Sequence, residues 1–435
     1  MRALAWLADR GGVLVLLAMG AVLSVITIEE RTPTSVAAAV ALAEELPSGG
    51  RVFLGIDDQA EQVAFADALR EAYALRGGRL VEGRGTPPAV RGALEAAASE
   101  PLDGLVSLPG ADAWSLLRSA SEWLPAVEGV PLATPSAERW PLFLTRENLL
   151  NVAETISVWA ILGIGMTLVI LTAGIDLSVG SLVALASVVA ALLLRDVLGG
   201  RAAGPLAVVG ASLAAVLTCA LVGFLSGLVV TRFRVAPFIV TLGMMMAASG
   251  VALRLTGGTS VDEVPDSFAW LGHGAIAGLP VPVILMLVLY GAAWFVMHHT
   301  TLGRAIYAVG SNEEAARLAG IPVERVLVLV YTACGALAGV GGLLTASTFE
   351  SGDPTYGVSY ELYVIAAVVV GGTSLAGGQG RVMGTLVGSL ILGVIYNGMN
   401  LTNVGGFSQR IVLGLVILLA VVLDQWKRRR ALAPG

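Results

Sequence analysis

Charge is spread so unevenly along this chain that it decides which solvent each part can occupy. Of 58 Asp, Glu, Lys and Arg residues, 28 crowd into residues 29–147, leaving 30 for the other 316 positions. The sparsely charged part breaks into charge-free apolar runs at 11–28, 155–175, 177–194, 202–231, 235–253, 275–297, 326–349, 362–380, 382–409 and 411–423. A helix needs about 20 apolar residues to cross a bilayer. The runs predict an α-helical membrane protein with about ten transmembrane helices. The last is short unless Arg410 snorkels to the interface, and the glycines that follow Val370 predict an early end to the eighth.

Composition narrows the function. The chain is 56% hydrophobic and 13% charged, against about 25% charge in a soluble domain; this excludes a secreted soluble enzyme and a disordered chain. A net charge of −6 offers no basic footprint for nucleic acid. Cys219 and Cys334 each sit in an apolar run, so no disulfide framework or thiolate metal site is readable. Lys427 is the sole lysine, and Arg428 follows it. A phosphate-binding loop needs Gly-Lys-Ser/Thr so that the lysine reaches the β- and γ-phosphates. No cofactor is therefore expected on this chain, and any ATP it uses is hydrolysed by another polypeptide.

Basic residues beside the spans set the orientation, long loops being left out. With the N-terminus inside and ten crossings, the cytoplasmic side carries Arg2, Arg10, Arg232, Arg234, Arg304, Arg317, Arg325, Arg381 and the cluster Lys427 to Arg430. The outer side carries Arg195, Arg201, Arg254 and Arg410, so the balance is twelve against four. Both termini are expected in the cytoplasm. No small-residue cleavage site precedes Glu29, so run 11–28 reads as an uncleaved first helix.

The charged segment then lies outside, as an extracytoplasmic insertion over 29–142. Strands are expected at Arg51–Ile56, Gly78–Gly85, Leu105–Leu108 and Val130–Ala133. Helices between them align Phe65, Leu69 and Tyr73, then Val90, Leu94 and Ala97 after Pro87-Pro88, then Trp114, Leu117 and Ser121. Alternating β and α elements with wholly apolar strands predict an α/β unit with a parallel sheet. Such sheets bind ligands beyond the strand C-termini, here at Asp57, Asp58, Pro109 and Ser136. The unit resembles one lobe of a periplasmic sugar-binding protein, including Asp103-Gly104 before the third strand. Those receptors close two lobes on a sugar and this segment supplies one, so a docking domain without a small ligand is the competing reading.

Two segments of the membrane part carry chemistry. In Thr172-Ala-Gly-Ile-Asp-Leu-Ser-Val-Gly180, Asp176 is an acid in an apolar stretch between helix-breaking glycines. Such a residue is expensive in a membrane and a functional candidate; it can equally cap the next helix by accepting from Ser178 or Val179. In the loop 299–326, Ser311 or Asn312 can cap a short helix from Glu313 to Leu318, with Arg317 in its last turn and Gly320 ending it.

These segments occur in order with Phe143-Leu-Thr…Asn148-Leu, Ala236-Pro-Phe-Ile-Val-Thr-Leu-Gly243 and Gly371-Gly-Thr-Ser-Leu-Ala-Gly-Gly-Gln-Gly-Arg-Val-Met-Gly384. Together they resemble the permease subunit of bacterial ABC importers for monosaccharides of the ribose, xylose and galactose type. The likeness covers residues 11–28 and about 140–430. It implies an inner-membrane homodimer that moves a sugar by alternating access, with an ABC ATPase subunit and a periplasmic sugar-binding protein as partners. It also implies that the loop is the coupling helix seated on the ATPase, its recurring residues falling at Gly303, Arg304, Gly310, Asn312, Glu313, Ala315, Ala316 and Gly320. The 371–388 hairpin falls on the cytoplasmic side.

A sugar path needs hydrogen-bonding side chains, for which Asp176, Ser178, Thr241, Tyr290, Asn397 and Asn400 are candidates, with Thr402 and Asn403 beside them. Each can instead glue helices together. The chain departs from the family in its insertion, about 110 residues where a short loop is usual. Rival readings are an importer of amino acids or nucleosides, a membrane enzyme and a membrane sensor. Ile175-Asp-Leu-Ser-Val-Gly favours the sugar group, and no His-Glu-x-x-His or Gly-x-Ser-x-Gly supports an enzyme. The sensor reading lacks a recognisable output domain.

Overall fold

A computed structural model describes residues 11–108 and 114–432. Ile28–Leu142 form one compact unit, and the chain on either side of it forms the other. Helix α1 (Gly11–Ile26) opens the path. The inserted unit then runs β1 (Ile28–Arg31), α2 (Val36–Glu45), β2 (Arg51–Ile56), α3 (Ala60–Leu75), β3 (Arg79–Arg84), α4 (Pro87–Ala97), β4 (Gly104–Ser107), α5 (Trp114–Arg118), α6 (Ala120–Trp123), β5 (Leu132–Ala133) and β6 (Glu138–Pro141).

Four strands make a parallel sheet in the order β3-β2-β4-β5. The central strand alternates its apolar side chains between two helical layers. Val52, Leu54 and Ile56 join Leu42, Phe65 and Leu69 on one face, while Phe53 joins Val90, Leu94 and Leu117 on the other. Covering both faces is what lets a parallel sheet read as continuously apolar. Each such side chain contributes about 1.5–3 kcal/mol on burial. β1 and β6 pair antiparallel, Glu30 opposite Arg139, so the chain enters and leaves the unit on neighbouring strands.

Local expectations for this unit need three changes. The helix that was to align Trp114, Leu117 and Ser121 is broken at Ser119 into α5 and α6; Leu117 is buried and Ser121 exposed. The Ser119 hydroxyl donates back to the Ser115 carbonyl at 3.1 Å, a competing local bond of the kind that interrupts helices. Helix α2, capped by Ser35 accepting from the Ala38 amide, was not foreseen. The strand-end groups are also occupied. Asp57 and Gln62 exchange hydrogen bonds of 2.8 and 3.3 Å, and Ser136 donates to Glu45. Pro109 and the Trp114 side chain lie outside the described residues, as do Arg2, Arg10 and the side chains of Lys427 to Arg430.

The other unit continues with α7 (Arg146–Leu171), α8 (Val179–Leu192), α9 (Pro205–Phe233), α10 (Pro237–Thr256), α11 (Asp266–His273), α12 (Val281–His299), α13 (Thr301–Ser311), α14 (Glu313–Leu318), α15 (Val323–Thr348), α16 (Tyr360–Val370), α17 (Val382–Leu401) and α18 (Gly406–Leu432). Among the described residues, seven helices are long and apolar enough to cross a membrane: α7, α8 with the turn that carries it to Val197, α9, α10, α12, α15 and α17. Gly11–Ile26, Tyr360–Val370 and Gly406–Leu419 are shorter apolar helices.

Every apolar run contains a helix, but the ends move. α7 starts at Arg146 rather than 155, because Thr145 caps it by accepting from the Asn148 amide and charged residues fill its first turn. The run at 275–297 yields a two-residue hairpin, Ala275–Ile276 against Leu279–Pro280, before α12 begins. The eighth helix ends at Val370 as expected.

Close packing in this unit comes from small residues. Along the α9/α15 contact, a Cβ on Gly223 would strike the Tyr331 carbonyl, and one on Gly335 the Cys219 carbonyl. With lipid as apolar as the side chains, such backbone approach is a main source of helix association. α7 is the most enclosed of the seven long apolar helices, with 78% of its apolar window buried against 22% for α10. α15 packs against α7, α8, α9 and α11, while α10 keeps most of its surface open.

Candidate functional site

The segment 300–320 builds a two-part lever. Thr300 caps α13 by accepting from the Gly303 amide at 3.3 Å. Asn312 caps α14 by accepting from the Ala315 amide at 2.9 Å, whereas Ser311 ends α13 and donates back to the Tyr307 carbonyl. Gly320 closes the lever with φ +82°, and the Gly320 and Ile321 amides satisfy the last helical carbonyls. Glu313 and Glu314 lie in the first turn of α14, where helix amides favour negative charge. Arg317 reaches Glu313 at 3.0 Å and also Glu324 at the start of α15. Those bonds, Glu324 first, push the Arg317 pKa up from its ordinary value.

One face of the lever is buried and the other is open. Gly303, Ile306, Val309 and Ala316 point inward, while Arg304, Asn312, Glu313, Glu314, Ala315 and Gly320 are exposed. Leu318 is 85% exposed at the end of a polar helix. Sequence reasoning passed over Leu318, although a lone leucine just before Ala319-Gly320 was a readable signal.

The buried face is joined to two other segments. Gly310 lies directly on the Leu171 carbonyl, with the Gly378 amide 2.7 Å from where a Cβ would stand. Gly378 (φ +70°) donates its amide to Leu171 at 2.9 Å. The Tyr307 hydroxyl donates to the Gly380 carbonyl at 2.8 Å. The lever therefore touches both the end of α7 and the 371–381 hairpin.

Beyond Leu171 the helix is broken until Val179. Ala173 adopts φ +60°, and a Cβ on Gly174 would meet the Tyr331 hydroxyl. Asp176 is fully buried and accepts from both the amide (2.9 Å) and the hydroxyl (2.6 Å) of Ser178. That amide belongs to the N-cap residue of α8, which makes no side-chain cap bond of its own, and the carboxyl shares its space with the Cys334 thiol and the Tyr331 hydroxyl. Among the described residues it has no ion-pair partner.

The remaining path candidates are scattered, and each spends its polar group inside the protein. Thr241 donates to the Ile175 carbonyl at 3.1 Å, tying α10 to the break. Tyr290 donates to the Ala160 carbonyl at 3.0 Å. Asn397 exchanges bonds of 3.0 and 2.7 Å with Asn148, joining α17 to α7. Asn400 accepts from Gln409 at 2.8 Å, and Thr402 donates to the Gly398 carbonyl.

With this geometry described, comparison with known proteins identifies the architecture. The family model described as "Branched-chain amino acid transport system / permease component" matches residues 148–421. The chain belongs to this permease family. The match takes in the helices from α7 to α18 and leaves out the inserted unit. The permease is 48% identical to the ribose import permease protein of Escherichia coli strain K12 over 66% of its own length and 88% of that protein. It is 42% identical to the ribose import permease protein of Bacillus subtilis strain 168, over 66% and 87%. With the L-arabinose ABC transporter permease protein of Azospirillum brasilense it shares 36%, over 67% and 84%. No solved structure matches.

Proposed function

We propose that this permease is the membrane subunit of an ABC importer that carries a monosaccharide across the inner membrane by alternating access. The observation that carries this is the identity of 48% over 88% of a protein named for ribose import, with a further relative named for L-arabinose. The rival of amino-acid import is not favoured by relatives of that kind.

In this reading the seven long helices and the three shorter ones all serve the bilayer, ten elements in all, with both termini cytoplasmic and residues 29–142 outside. Two copies line one path. The exposed face of Glu313–Leu318 seats on the ATPase, and Gly303, Arg304, Gly310, Asn312, Ala315, Ala316 and Gly320 shape and hinge that lever. Closure of the ATPase on ATP moves the lever. Its contacts at Leu171 and Gly378 pass the displacement to α7, to the 371–381 hairpin and to the break around Asp176 and Ser178. The arrangement suits rigid transmission because each joint is a backbone contact rather than a flexible side chain.

Affinity purification of the tagged chain from its native host in mild detergent, with mass spectrometry, tests the reading. Recovery of an ATPase subunit supports it; a preparation free of any ATPase, where a control importer stays assembled, defeats it. The inserted unit is proposed to bear on the receptor. Deleting residues 32–138 and rejoining the ends, which keeps most of the β1/β6 pair, is expected to weaken affinity for the sugar-loaded receptor about tenfold, or roughly 1.4 kcal/mol. Titration of receptor against reconstituted complex checks this, and unchanged affinity and uptake would discard it.

A further inference from the structure

Each of the six path residues chosen from sequence makes at least one bond within the protein, and the unpartnered Oδ2 of Asp176 is fully buried, so polar groups that line open space are better placed to meet a sugar. The segment between α15 and α16 points to them. A Cβ on Gly352 would stand 2.5 Å from the Ser187 carbonyl, and one on Gly357 would strike the Gly180 carbonyl. The non-helical stretch therefore runs back along α8, from its last turns to its first, before α16 starts at Tyr360. Irregular backbone at membrane depth persists only where it is buried in protein or lines a water-filled space. Here it lines a space.

That space is a cavity of about 470 Å³ between the first turns of α8, the middle of α10 and residues 354–361, within the usual 300–1,000 Å³ of small-molecule sites. Its polar groups are Ser249, Ser359 and Glu361, with Ser181, whose hydroxyl donates to the Ser178 carbonyl at 2.8 Å and offers its oxygen as an acceptor, and Met245 and Tyr356 supply apolar walls. Glu361 lies in the first turn of α16. Its carboxyl rests on Gly180, where even a Cβ would collide with it. Among the described residues no cationic side chain pairs with Glu361. Acceptors and hydroxyls interspersed with thioether and aromatic surface match a ligand that is hydroxylated at its edges and apolar on its ring faces.

We propose that this cavity is a resting site for a monosaccharide inside the membrane part, with Glu361 and the Ser181, Ser249 and Ser359 hydroxyls receiving the sugar hydroxyls. The proposal rests on the importer reading and names the contacts that reading lacked. A sugar leaving water must have its hydroxyls re-bonded, and these four side chains are where the cavity can do so.

The test uses the permease reconstituted with its ATPase and receptor in vesicles, measuring uptake of radiolabelled ribose and L-arabinose together with ATP hydrolysis. Wild type must import one of these two or, assayed in the same way, xylose, galactose or D-allose; import of none removes the monosaccharide reading and the site with it. Glu361→Ala is expected to lower uptake about tenfold or more while receptor-stimulated ATP hydrolysis continues. Gly250→Cys, at a lining position outside the four binding side chains where an added Cβ meets nothing within 4 Å, is expected to import before treatment and to stop after alkylation with N-ethylmaleimide. Wild type is the control, since Cys219 and Cys334 are both buried. Uptake by alkylated Gly250→Cys at the untreated rate overturns the site while leaving the importer reading intact. The alkylation arm decides the matter if Glu361→Ala fails to fold.

Discussion

Gly310→Val is expected to abolish uptake and to lower the melting temperature of the detergent-solubilised protein. The position has no room for even one carbon: the Leu171 carbonyl and the Gly378 amide fill it. Overpacking costs about 1–3 kcal/mol where side chains can give way, and here both neighbours are backbone atoms tied to each other by a 2.9 Å hydrogen bond. A loss of about 3 kcal/mol corresponds to roughly 6–12 °C. Gly243→Ala is the matched control, a helical glycine whose added Cβ meets nothing within 4 Å, and it is expected to be neutral or slightly stabilising. Thermal unfolding and vesicle uptake measured on the two variants decide the point. A Gly310→Val protein with wild-type melting and uptake would remove the rigid joint from the mechanism.

The double change Arg304→Glu with Glu313→Lys is expected to strip the ATPase from the purified complex while leaving the permease folded. Both side chains are exposed, and losing the first-turn acid and its exposed pair with Arg317 costs about 1 kcal/mol, too little to unfold the permease. Reversed charges at a docking face cost much more, because a like-charge juxtaposition replaces a complementary one. Recovery of the ATPase relative to permease is expected to fall at least about tenfold, equivalent to roughly 1.4 kcal/mol. Leu318→Ser, which removes the one large apolar side chain standing out of α14, is expected to act in the same direction. Quantitative mass spectrometry of the co-purified subunits is the measurement. Undiminished ATPase with both variants would place the docking surface elsewhere.

Local signals were legible where their cause was local. The Asn312 cap, the end of α14 at Gly320 and the end of α16 at Val370 each follow from a side chain or glycine within a few positions of the helix terminus. The parallel sheet was legible because a strand covered on both faces is apolar at every position, as β2 is from Val52 to Ile56. Helix starts were less so: a rule built on charge-free runs stops at Glu154, whereas the helix continues back through Glu147 and Arg146 to its Thr145 cap. A helix can carry charges over its exposed turns without losing a hydrogen bond, so charge marks the apolar span and not the helix.

The path residues were the least legible, and the reason is distance along the chain. Asn397 was chosen as a polar residue on an apolar helix, but its partner is Asn148, 249 positions away. Glu361 attracted no notice, since a glutamate at a helix start is commonplace until the packing of Gly357 on Gly180 shows what it faces.

Membrane residence, the succession of apolar helices, the α/β character of the insertion and the capped lever at 300–320 are written in the sequence, because each depends on periodicity, composition or a short-range hydrogen bond. Tertiary structure alone decided which polar side chains are consumed in holding helices together and which are left facing a cavity. A hydroxyl or carboxyl in a low-dielectric interior bonds to whatever lies within about 3 Å of it, and that neighbour is set by how helices far apart in the chain come to pack.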